Sequence, residues 1–76
     1  MDTRIKDLRV DRDLTQSQVA EAIGITQRKY SYLETGIQAW PDELLVRLAG
    51  FYQTSVDYLL KMTDDPAPYR RRKRRL

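Results

Sequence analysis

Apolar residues recur along this chain at the three- and four-residue spacing of amphipathic helices, and no segment requires a β-strand. The pattern predicts five helices. Their apolar faces carry Ile5 and Leu8; Val19, Ala20 and Ile23; Tyr30 and Leu33, with Ile25 just before them; Leu44, Leu45, Leu48, Ala49 and Phe51 or Tyr52; and Val56, Leu59 and Leu60. The predicted fold class is therefore a compact all-α domain.

Capping residues delimit the second and third helices. Thr15 and Thr26 carry hydroxyl groups that can accept a hydrogen bond from the first turn of a helix. Gly24 supplies the left-handed residue that ends the second helix, and Gly36 stands just past the end of the third, near Glu34. The segment reads as two short helices hinged at a glycine, which is the pattern of a helix-turn-helix.

The other helices have less sharply marked ends. We expect them from Asp2 or Thr3 to Arg12, after Pro41, and after Thr54 or Ser55. Two prolines within residues 64–68 then end regular structure. The sequence predicts one folded domain over residues 1–63 and a flexible spacer followed by a basic tail over residues 64–76.

The amino-acid composition argues against several classes of function. The chain has 76 residues, no cysteine and no histidine, so it lacks thiolate metal ligands and the usual general base at neutral pH. It also has no glycine-rich phosphate loop. We expect no metal, no cofactor and no enzymatic activity. The apolar runs are too short for a transmembrane helix and the charged start is unlike a signal peptide, so we expect a cytoplasmic protein with no membrane partner.

The positive charge of the chain is concentrated at one end. Residues 1–69 carry eight Lys and Arg against all eleven acids, a net charge of −3. The tail carries Arg70, Arg71, Arg72, Lys73, Arg74 and Arg75. One interpretation is an arm that contacts DNA phosphates non-specifically. The alternatives are a solvated tail, a contact with an acidic partner or with the domain's own acids, or a remnant of cloning.

A series of motifs at fixed spacing carries a resemblance to a known family. The series is Leu14-Thr15-Gln16, Val19-Ala20, Ile23-Gly24-Ile25-Thr26, Tyr30, Leu33-Glu34-Thr35-Gly36 and Ser55-Val56-Asp57-Tyr58-Leu59-Leu60. Over residues 5–60 the chain resembles the Cro/repressor-type (XRE) helix-turn-helix family of prokaryotes and phages. The resemblance implies a lambda-repressor-like domain that binds double-stranded operator DNA as a homodimer on an inverted repeat. It also implies transcription regulation, with repression the expected outcome.

The outer face of the third helix holds the candidate DNA contacts. Glutamine and arginine have the hydrogen-bonding groups that pair with the edges of adenine and guanine in the major groove. We expect base contacts from Gln27, Arg28 and Tyr32, and phosphate or flanking contacts from Gln16, Thr26, Lys29, Ser31 and Gln38. In the family, the glutamine that matches Gln16 contacts a phosphate and supports the first residue of the reading helix. The alternative is an ordinary solvated helix face.

Two further features concern the scaffold. An arginine on the inner face of the first helix is costly unless it is paired, and the family pattern places an acid opposite it. We therefore expect a structural ion pair between Arg9 and Glu34. The loop of residues 37–40 departs from the family because it lacks lysine and arginine, so we expect weak phosphate contacts there. Trp40 either packs on the core or anchors a protein partner.

A second function class remains open at this stage. The same fold serves antitoxins and other protein-interaction modules. In that case Trp40, Tyr52, Tyr58 or the basic tail would contact a toxin or another protein partner.

Overall fold

The computed structural model describes residues 2–68, which contain five helices and no strand. In chain order they are α1 (Ile5–Asp11), α2 (Gln16–Ile23), α3 (Gln27–Glu34), α4 (Asp42–Tyr52) and α5 (Val56–Leu59). The all-α, five-helix fold predicted from the hydrophobic pattern is confirmed. The basic tail, residues 70–75, lies outside the described residues.

Local chemistry sets the ends of α2 and α3. The Thr15 hydroxyl accepts from the Gln18 backbone N–H at 3.1 Å, and the Gln18 side chain accepts from the Thr15 N–H at 2.8 Å, which completes a capping box. The Thr26 hydroxyl accepts from the Lys29 N–H at 3.1 Å. Gly24 lies in the left-handed region, with φ at 79°. The helix-turn-helix therefore has the boundaries that its sequence predicts.

Helix α1 begins at Ile5, later than the predicted start at Asp2 or Thr3. The Asp2 carboxylate is held by the Lys61 ammonium group at 2.8 Å, so it does not cap the helix. Thr3 accepts from the Ile5 N–H at 3.3 Å, and Arg4 occupies the N-cap position without a side-chain cap. The first helix therefore starts without the side-chain cap that the sequence offered at Asp2 or Thr3.

The core draws on all five helices. Its buried apolar residues are Ile5, Val19, Ala20, Ile23, Tyr30, Leu33, Leu44, Leu45, Leu48, Ala49, Tyr52 and Leu59. Full burial of each large apolar side chain contributes roughly 1.5–3 kcal/mol. Tyr30 and Tyr52 are the largest of those that are fully buried. The inner side of α3 is therefore fixed by a fully buried aromatic ring.

The chain beyond α5 is hydrogen-bonded to the body of the domain. The Arg4 guanidinium donates to the Tyr58 and Thr63 carbonyls, each at 2.9 Å, and to the Asp64 carboxylate at 2.8 Å. The buried Thr54 hydroxyl donates to the Pro66 carbonyl at 2.6 Å. The first residues of the segment expected to be a spacer are thus attached to residues just before α1 and just before α5.

Two kinds of feature are absent from residues 2–68. No helix in this range is long and apolar enough to cross a membrane. In the same range, no three side chains from His, Cys, Asp and Glu converge in a way that could hold a metal ion.

Two glycines provide a matched test of the helix-turn-helix hinge. Gly24→Ala is expected to destabilise the domain by about 1–2 kcal/mol, because an L side chain is strained at φ 79°. Gly50 lies inside α4, where an added Cβ meets nothing within 4 Å. Gly50→Ala is therefore expected to stabilise by about 0.5–1 kcal/mol. Urea denaturation measures both changes, and equal effects at the two sites would contradict a left-handed hinge.

Candidate nucleic-acid interface

The first turn of α3 presents three exposed polar side chains, those of Gln27, Arg28 and Lys29. Ser31 and Tyr32 follow on the same helix and are half-buried. The opposite side of α3 is anchored by Tyr30 and Leu33, which are 0% and 3% exposed. Because the buried side cannot rotate, the polar side is held facing outward. The polar face predicted from the helical period is thus the exposed face.

An open cleft of about 310 Å³ brings five of the predicted contact residues together. Its lining consists of Thr26, Arg28, Lys29, Tyr32 and Gln38. Gln38 reaches this position because its backbone N–H donates to the Tyr32 carbonyl at 3.0 Å. The loop after α3 therefore folds back against the reading helix. The cleft combines two cations with hydroxyl and amide groups, which is the chemistry that phosphate and base edges require.

The contacts between α2 and α3 differ from those that the family resemblance implies. Gln16 donates to the Glu34 carboxylate at 3.4 Å, and its side chain forms no hydrogen bond with Gln27. The hydroxyl of the next residue, Ser17, donates to the Gln27 side-chain oxygen at 2.8 Å. In this structure the hydrogen bond from α2 to Gln27 therefore comes from Ser17. The sequence analysis missed this residue because its contact depends on how the two helices are hinged.

Arg9 and Glu34 form a bidentate ion pair. Arg9 Nε and Nη2 donate to the two Glu34 carboxylate oxygens at 2.9 and 3.0 Å, and Nη1 donates to the Leu14 carbonyl at 2.9 Å. The two side chains are only 14% and 3% exposed, so the pair is largely removed from water. It joins α1, the turn before α2 and the end of α3.

The ionisation of these groups follows from their burial and partners. Burial acts to raise the pKa of Glu34, but the hydrogen bonds, with that from Arg9 foremost, outweigh it and leave the pKa below its ordinary value. The hydrogen bond to Glu34 also raises the pKa of Arg9. Burial raises the pKa of Tyr52 to about 12 and also raises that of Tyr30. At neutral pH the ion pair is charged and both tyrosines are neutral.

The aromatic residues considered as anchors for a protein partner are occupied within the domain. Trp40 is half-buried and packs edge-on against Tyr30, with ring centroids 5.7 Å apart. Tyr52 is 2% exposed, and the Arg4 guanidinium covers the Tyr58 ring at 4.4 Å. These contacts engage Trp40, Tyr52 and Tyr58 within the domain, and a protein partner at these residues stays a prediction. In the loop before Trp40, the apolar side chain of Ile37 is 70% exposed.

The match to a known family covers most of the chain. Residues 5–59 match the helix-turn-helix family. The chain belongs to this family, in its Cro/repressor type. The matched range includes all five helices and both residues of the Arg9–Glu34 pair.

Similar members of the family carry regulatory names. The chain is 44% identical over 70 residues to the "uncharacterized HTH-type transcriptional regulator YobD" of Bacillus subtilis, covering 92% of this chain and 62% of that protein. It is 40% identical over 58 residues to the "cryptic phage CTXphi transcriptional repressor RstR" of Vibrio cholerae, covering 76% of this chain and 52% of that protein. The chain thus spans about half to three-fifths of the length of these relatives. No solved structure matches it.

Replacing Glu34 by glutamine tests the ion pair. Glu34→Gln is expected to destabilise the domain by about 3 kcal/mol at neutral pH, because the largely buried Arg9 charge loses its counter-ion. The folded pKa of Glu34 lies below its ordinary value of 4.5. The contribution of the charged carboxylate is therefore fully present above that value and is lost as the pH falls through the folded pKa. The difference in unfolding free energy between wild type and Glu34→Gln, measured by denaturation, should therefore become smaller at acid pH.

Glu43 provides the control for this experiment. It forms an ion pair with Arg47 in which the side chains are 74% and 48% exposed. Glu43→Gln removes the same charge, and we expect a cost below about 1 kcal/mol because solvent screens the pair. A Glu34→Gln cost no larger than that of Glu43→Gln would contradict a structural role for the buried pair.

Proposed function

We propose that this chain is a sequence-specific DNA-binding transcriptional regulator whose helix α3 enters the major groove. The observation that carries the proposal is the outward face of α3, where Gln27, Arg28 and Tyr32 lie on a helix whose other side is buried. In this arrangement Gln27 pairs with adenine, Arg28 pairs with guanine, and Tyr32 contacts a thymine methyl group or a phosphate.

The neighbouring groups supply contacts to the sugar-phosphate backbone. Thr26, Lys29 and Gln38 line the cleft beside the base-reading side chains, and Ser31 flanks it on α3. Gln16 lies in the first turn of α2, where free backbone N–H groups and the helix dipole favour an anion. These contacts fix the register of α3 in the groove but carry no sequence information themselves.

We further propose that the protein acts as a homodimer on an inverted repeat and represses transcription. A single eight-residue helix reaches few base pairs, and a second copy related by two-fold symmetry doubles the site that is read. The half-sites would then lie about one helical turn, roughly 34 Å, apart. The repressor name of the Vibrio cholerae relative supports the direction of regulation.

Selection of bound sites from random DNA tests this function. The wild-type protein is expected to enrich an inverted repeat, and Gln27→Ala and Arg28→Ala are each expected to lose preference at one position per half-site, by about 5- to 100-fold. Lys6→Ala is the control for Arg28→Ala, because Lys6 is an exposed cation on α1. Enrichment without two-fold symmetry would contradict the homodimer, and no enrichment at all would contradict sequence-specific binding.

The charge distribution suggests that base specificity and much of the affinity for phosphates come from different parts of the chain. Residues 2–68 have a net charge of −3, and the loop after α3 offers no cation. We propose that residues 70–75 supply additional phosphate contacts.

Deleting residues 69–76 tests this arm. If all six cations contact phosphates, the slope of log K against log salt concentration should become less steep by about five units, since each contact adds roughly 0.9. The selected sequence should stay the same, because phosphate contacts do not read bases. An unchanged salt slope would contradict the proposed arm.

A further inference from the structure

Ser17 lies in α2, but its side chain contacts a residue of α3. It is exposed in the first turn of α2, and its hydroxyl donates to the Gln27 side-chain oxygen at 2.8 Å. It does not cap α2, because the cap of that helix is Thr15. Within residues 2–68, this contact is the one hydrogen bond made by the Gln27 side chain. The contact links the two helices at the groove-facing end of α3.

A glutamine without such a contact is a poor reader of DNA. Its side chain has several freely rotating bonds, and ordering them on binding costs about 1.5–2 kcal/mol of entropy. Its amide also presents an acceptor and a donor that exchange places when the group rotates by half a turn. A free Gln27 would therefore approach the groove in several states, of which one matches a given base edge.

We propose that Ser17 is a positioning residue that orders the Gln27 side chain for base contact; this inference depends on the function proposed above. The serine hydroxyl occupies one of the two lone pairs of Gln27 Oε1 and holds the amide beside α2, which reduces the number of side-chain states that approach the groove. The other lone pair and the Nε2 amino group stay available to pair with the N6 donor and N7 acceptor of adenine.

The neighbouring Gln16 performs a different task in this chain. Its amide donates to the Glu34 carboxylate, so it belongs to the network of the buried ion pair. Two consecutive residues of α2 thus separate two roles: Gln16 contacts the scaffold and Ser17 contacts the reading side chain. The separation provides a matched pair of variants.

The experiment combines site selection with NMR of the free protein. Ser17→Ala is expected to lower adenine preference by about fivefold at the position defined by Gln27→Ala, which is the loss of one hydrogen bond. Ser17→Thr keeps the hydroxyl and should retain the preference. Glu21→Ala, at an exposed position farther along α2, should leave preference at that position unchanged. In the Gln27→Ala background, Ser17→Ala should have no further effect there.

The NMR measurement separates positioning from DNA binding. In the free protein, the order parameter of the Gln27 side-chain amide should fall in Ser17→Ala and stay unchanged in Gln16→Ala. If the wild type selects a sequence but Ser17→Ala keeps both its preference and its amide order, the role of Ser17 is overturned and the proposed function stands. If Gln16→Ala shows the coupling to Gln27 instead, the assignment of roles is overturned. If the wild type selects no sequence, both proposals are overturned.

Discussion

The buried ion pair between Arg9 and Glu34 is the constraint on which the arrangement of the reading helix depends. A buried pair is weak evidence for net stability, because removing two charges from water costs most of what their attraction contributes. Its consequence here is geometric. The planar guanidinium contacts both carboxylate oxygens and the Leu14 carbonyl, so it fixes the end of α3 relative to α1 and to the turn before α2. Gln16 extends the same network into the first turn of α2. The pair thereby holds both helices of the helix-turn-helix in one orientation without contacting the groove-facing side chains.

Features set by local chemistry were predictable from the sequence, whereas the distant Arg9–Glu34 contact was predictable only with the help of the family resemblance. Thr15, Gly24 and Thr26 act on residues within one turn of themselves, and the structure places the ends of α2 and α3 where these residues predict them. Asp2 is the contrary case, because its carboxylate binds Lys61, far along the chain, and does not cap α1. The contact of Ser17 with Gln27 was missed for the same reason. It requires the crossing of two helices, which hydrophobic periodicity does not specify.

The proposed interface would separate specificity from affinity. The side chains proposed to read bases, those of Gln27, Arg28 and Tyr32, stand on a helix anchored by Tyr30 and Leu33. The loop that follows contributes an exposed Ile37, where a phosphate-binding protein would gain from a cation. On this proposal, an acidic domain whose following loop lacks cations would discriminate between sequences while binding phosphates weakly. Such a protein would gain affinity from a second copy or from charges outside the folded body.

The hydrogen bonds that hold the chain after α5 limit how far the cations of residues 70–75 can reach. Thr54 and Arg4 bind the chain as far as Pro66, so the reach of the last cations is counted from that residue and not from the end of α5. The residues from 67 to 75 span at most about 30 Å when fully extended. That distance is close to one helical turn of DNA, the proposed separation of half-sites. The proposed arm would therefore reach only phosphates within about that distance of Pro66. On this proposal its contribution would be coupled to the docking of α3, although phosphate contacts themselves read no sequence.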